Sequence, residues 1–203
     1  MDLVSAVKRR RFQKALELIA EGTDVNAPGA RGETALLWAV IHGDERVVSA
    51  VLRAGAEATP RTKSKRAPGN SAALATPLHF ATKPDRIGIL KMLLAAGSEV
   101  DAMDAVGLTP LGAAAAVGNA EATNLLLAAG ADPNHPCQPL LLGAKEGHAE
   151  VVRLLLEAGA HHTPDLASLY PPIRLAMVGG HEAVVQLLRR AGAVWPSTAP
   201  SRE

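Results

Sequence analysis

The feature that most limits how this chain can fold is a distance that does not change. A phrase closing on glycine recurs as LIAEGTDVN, VLRAGAEAT, LLAAGSEVD, LLAAGADPN, LLEAGAHHT and LRRAGAVW. Its glycines are Gly22, Gly55, Gly97, Gly130, Gly159 and Gly192, spaced by 33, 42, 33, 29 and 33 residues. A second phrase precedes the last five: TALLWA from Thr34, TPLHFA from Thr76, TPLGAA from Thr109, QPLLLG from Gln138 and PPIRLA from Pro171. From its first residue to the next glycine there are 21 residues every time. A constant stretch joined by variable connections is the mark of one supersecondary unit stacked on copies of itself.

Helix signals fill the constant stretch. Thr34, Thr76 and Thr109 are placed to cap a first helix with their hydroxyls. Pro77, Pro110, Pro139 and Pro172 fall at its first turn, where no N–H is needed. Leu36, Leu78, Leu111, Leu140 and Ile173 share a face with the small residues Ala39, Ala81, Ala114, Gly143 and Ala176, so neighbouring helices can approach closely. Gly43, Gly118, Gly147 and Gly180 mark a turn that calls for positive φ, with Arg10 and Asp85 standing there in the other two units. A second helix is expected to bury Leu18, Val51, Leu93, Leu126, Leu155 and Leu188. The composition agrees: 48% hydrophobic with only 2% aromatic residues suits helices packed through Ala, Leu and Val rather than strands.

These residues resemble the ankyrin-repeat family, through Thr76-Pro77-Leu78-His79-Phe80-Ala81, Gly147-His148 and Gly130-Ala131-Asp132, over nearly the whole chain to about Gly192. The resemblance implies an all-α solenoid of helix-turn-helix units joined by β-hairpin-like loops. The units run approximately 1–26, 27–59, 60–101, 102–134, 135–163 and 164–193, followed by a tail over 194–203. In the third unit the interval from Gly55 to Thr76 is 21 residues against a standard 12, placing a loop insertion at 60–73 around the basic run RTKSKRAPGN. Glu17 and Arg189 stand at positions that are apolar in the other units, which is the polar facing a terminal repeat needs.

Little here suggests chemistry. His79, His148 and His181 are expected to fix turns, and His161-His162 is an adjacent pair without a second ligand cluster. Ser5, Ser49 and Cys137 lack the surroundings of a nucleophile, and the glycines punctuate repeats rather than cradle phosphate. No catalytic residue, metal ligand or cofactor is expected. One cysteine rules out an internal disulfide, no secretory leader or membrane span is legible, and a cytoplasmic protein, monomeric when free, is the expectation.

The resemblance implies one or more folded protein partners, bound on the concave surface of the first helices and loop tips. The candidate contacts are Trp38, Ile41, His42, Phe80, Lys83, Lys145 and Glu146, with Arg61, Lys63, Lys65 and Arg66 of the basic loop. In the column Trp38, Phe80, Ala113, Leu142 and Leu175, interhelix packing suits the leucines, whereas large rings suit binding anchors. With no effector domain alongside, the array would act by occupying its partner, as an inhibitor or immunity-type protein; an adaptor or scaffold is the alternative. Binding of nucleic acid or an anionic surface through the loop is a further alternative, disfavoured by a net charge of +1.

Overall fold

Hydroxyl caps and left-handed glycines divide the chain into helices at regular places. The computed structural model describes residues 1–30, 32–59, 75–162 and 171–194. Six pairs follow in order: α1 (Leu3–Lys8) with α2 (Phe12–Ala20), α3 (Ala35–His42) with α4 (Glu45–Arg53), α5 (Pro77–Phe80) with α6 (Ile87–Ala95), α7 (Pro110–Val117) with α8 (Ala120–Ala128), α9 (Pro139–Glu146) with α10 (Ala149–Glu157), and α11 (Pro172–Val178) with α12 (Glu182–Arg190). No strand occurs among the described residues. The odd-numbered helices pack side by side in one layer, the even-numbered ones in a second, and each pair bridges the two.

Thr34 Oγ1 accepts the Leu37 N–H at 3.2 Å and Thr109 Oγ1 the Gly112 N–H at 3.2 Å, so both cap as expected. Gln138 cannot repeat this, makes no side-chain cap, and takes a left-handed backbone at φ 53°. At the helix-to-helix turn Gly43, Gly118, Gly147 and Gly180 all have φ between 70° and 80°. Arg10 adopts the same conformation at φ 58° and closes the same pair of bonds, its own N–H to Val7 O and the Arg11 N–H to Ala6 O. A side chain in that region costs about 1–2 kcal/mol that glycine avoids. Asp85 instead lies in a 3-10 turn, Pro84–Arg86, which replaces the missing second turn of α5.

Val51, Leu93, Leu126, Leu155 and Leu188 are fully buried, forming the seam between layers. Leu18 departs from that expectation and is only partly buried, whereas Leu188, on an α12 that likewise has a second-layer neighbour on one side alone, is fully buried. Hairpin-like turns form where the loop has standard length: Gly29 N–H to Glu33 O at 2.8 Å, and Asp104 N–H to Leu108 O at 2.9 Å. The shortened connection before Gln138 has no such closure and runs through turns ending in the Gln138 N–H to His135 O bond.

Two sets of hydrogen bonds tie unit to unit. On the loop side, the polar residue ending each of the first four phrases accepts a backbone N–H from the next unit: Asn26 from Glu57, Thr59 from Glu99, Asp101 from Asp132 and Asn134 from His161. On the turn side, one donor per unit reaches back to a main-chain carbonyl of the unit before. His42 bonds Lys8 O at 3.2 Å, Arg86 bonds Ile41 O at 2.9 Å and Asn119 bonds Thr82 O at 2.8 Å. His148 bonds Ala116 O at 3.2 Å and His181 bonds Lys145 O at 3.0 Å. His148 and His181 therefore serve the joints between units rather than their own turns.

Candidate functional site

The predicted contacts fall into two groups. Trp38 and His42, four residues apart on α3, stack with centroids 5.7 Å apart and planes at 28°. Lys8, ending α1, holds its Nζ 4.8 Å above the Trp38 ring and 2.8 Å from Glu33 Oε1. Phe12 leans on His42 at 6.1 Å between centroids. The Arg10 Nε–H donates to His42 Nδ1 at 3.3 Å, so that nitrogen is bare and the ring's Nε2–H is the one that reaches Lys8 O. Five residues from two units thus form one aromatic platform carrying two cations.

Beside it, Arg86 is buried to 11% side-chain exposure and donates to Phe80 O at 3.1 Å as well as to Ile41 O. It binds the ends of α3 and α5 together through the main-chain carbonyls of Ile41 and Phe80, both of which are partly exposed. Lys83 is exposed at the start of the 3-10 turn. Trp38 and Phe80 also pack against the core, so each divides its ring between scaffold and surface. The Trp38 Nε1–H is buried and has no acceptor among the described residues.

Lys145 and Glu146 lie apart from this group, exposed on α9 and paired with each other at 3.1 Å. Arg61, Lys63, Lys65 and Arg66 fall outside the described residues, as does Trp195. The sequence reading passed over Lys8, Arg10, Phe12, Glu33 and Arg86. Arg10 carried a signal, since it stands where other units keep glycine.

His79 is the buried histidine of the third unit. Its Nδ1 accepts the Thr76 N–H at 3.1 Å and lies 3.0 Å from Thr76 Oγ1, while Nε2 bonds Leu108 O at 2.9 Å. Burial pushes its pKa below the ordinary histidine value, outweighing the Leu108 carbonyl and the Asp104 carboxylate, which pull the other way. The folded chain therefore refuses a proton that the unfolded chain accepts below about pH 6.5. Stability contributed by neutral His79 is present above that pH and falls as acid is added, down to the lower folded value. Melts of the wild type and His79→Gln at pH 7.5 and 5.5 should show their difference in stability shrinking in acid; a difference independent of pH would sink this account.

Among the described residues no group of three or more His, Cys, Asp or Glu side chains could hold a metal, and no helix is long and apolar enough to cross a membrane. The fold defines a helical tandem-repeat scaffold whose first-helix layer leaves Trp38, Ile41 and Phe80 partly exposed. A family model described as ankyrin repeats (3 copies) matches residues 3–104, 57–137, 78–165 and 111–195, and the chain belongs to the ankyrin-repeat family. A crystal structure of an ankyrin repeat domain from Acinetobacter baumannii AYE is similar over 95% of this chain and 98% of that one, with TM-score 0.78 and 25% identity. Palmitoyltransferase Hip14 of Drosophila melanogaster is 33% identical over 106 residues, 52% of this chain and 15% of its own length. Zygote-specific protein 3 of Chlamydomonas reinhardtii is 32% identical over 116 residues, 57% of this chain and 29% of its own length. The chain spans less than a third of the length of either curated relative. Ankyrin repeats are protein–protein interaction modules.

Proposed function

We propose that this protein binds a folded protein partner through the first-helix layer, centred on units two and three, and acts without catalysis by covering a surface of that partner. The observation supporting this reading is the grouping of Trp38, Ile41, Phe80 and Lys83, large or charged side chains left partly or fully exposed by a scaffold otherwise built from Ala, Leu and Val. An inhibitor or immunity-type role is the finer form of the proposal, because occupying a partner is the simplest action open to an interaction surface. Adaptor function uses the same surface but requires a second partner at once.

The test is capture of the partner by the tagged protein from its native cell, followed by measurement of affinity for a Trp38→Ala, Phe80→Ala double variant. Loss of about 2–4 kcal/mol of binding is expected for two central aromatic anchors. Full affinity in the double variant would sink the reading.

A further inference from the structure

We propose that the aromatic platform of units one and two is a receptor for carboxylate groups, so that the partner presents an acidic segment to Lys8 and Arg10 at the turn edge of the array. This deepens the proposed function and rests on it. Four consecutive cations, Lys8, Arg9, Arg10 and Arg11, are all exposed at the turn between α1 and α2. Two of them are held in place before any ligand arrives. Lys8 sits over the Trp38 ring and is already paired with the buried Glu33 carboxylate, so it adds a partly neutralised charge. The Arg10 Nε–H is bonded to His42, which is itself stacked on Trp38, and Arg10 is the principal anion contact. A guanidinium fixed through Nε keeps its two NH2 groups for a planar anion, and a cation already ordered loses less freedom on binding.

Backbone conformation is the independent observation. The turn that Arg10 occupies takes glycine in four other units, with the same positive φ. Retaining arginine there works against the scaffold, and strain kept at a defined side chain marks a position held for what the side chain does.

The neighbouring turns decide between kinds of anion. The corresponding turns of units two and three carry Asp44 and Glu45, then Asp85, the last two exposed. A nucleic acid running along the edge would set its unbroken phosphates against these carboxylates, whereas an acidic protein segment can place its charges at unit one alone.

Arg10→Gly tests this directly because glycine suits the backbone. Fluorescence anisotropy of a short labelled glutamate-rich peptide is measured against the full chain, beside a single-stranded oligonucleotide at matched salt. The variant should melt at the same temperature as the wild type or higher, while peptide affinity falls about tenfold, the loss of one charge-assisted contact. An Arg189→Ala, Arg190→Ala variant, altered at the far end of the array, should bind like the wild type. The proposal is overturned if the wild type does not bind the peptide, if Arg10→Gly binds as well as the wild type, if the far-end variant loses as much, or if the oligonucleotide binds more tightly than the peptide. These results are read without the captured partner, so they stand or fall separately from the Trp38 and Phe80 test.

Discussion

Leu126→Ala is expected to destabilise the protein by about 2–5 kcal/mol, the cost of deleting a fully buried leucine from a site that cannot collapse. Leu126 has no exposure on α8, which is flanked by α6 and α10 in its own layer and backed by α7. Contacts in a stacked array are made only with neighbours, so one cavity in the middle weakens two interfaces. Leu18 occupies the same place in the first unit but is partly buried, and Leu18→Ala should cost less, about 1–2 kcal/mol, for the smaller area it covers. Urea titrations of both variants make the comparison. Equal losses would show that the partial exposure of Leu18 does not lower the cost.

The next largest effect is expected at Asn119, a buried polar side chain with two duties. Its Oδ1 accepts the Ala122 N–H at 3.1 Å to cap α8, and its Nδ2–H donates to Thr82 O at 2.8 Å across the joint to the third unit. Asn119→Ala removes the cap, at about 1 kcal/mol, and strands a buried carbonyl, at about 1–3 kcal/mol. The sum is about 2–4 kcal/mol. Asn119→Asp separates the cap from the joint: a carboxylate still caps but cannot donate to Thr82 O and sets a buried charge against that carbonyl, so the joint is lost with an added burial cost. Hydrogen exchange should then show the third and fourth units opening more readily in Asn119→Asp, with the α8 end still protected. If Asn119→Asp were as stable as the wild type, the joint would have no energetic weight.

The helices were legible because their signals lie within one unit. Thr34 and Thr109 cap by contacts three residues away, and the glycines at positive φ state a backbone requirement that other residues meet only at a cost. The joints were not legible for the opposite reason. His42, Arg86, Asn119, His148 and His181 do one job with three chemistries, and the bond each makes spans more than 30 residues of sequence. In unit two the residue before the second helix is Asp44, which cannot donate, and the task passes to His42. The surface was half legible. Trp38 and Phe80 stand out in a chain poor in aromatics, but the cations they meet come from another unit, and Arg10 read only as a missing glycine.

The joints on the turn side have one further consequence. Each acceptor is a main-chain carbonyl, present whatever side chain the residue carries, and each donor travels with the unit that needs it. A unit copied within the gene would arrive with its own fastener and find a catch already in place on the unit before it. Lengthening by duplication therefore needs no matching change in the older sequence, and copies are free to diverge on the surface while remaining joined. Arg86, Asn119 and His148 make that same bond in neighbouring units with three different side chains.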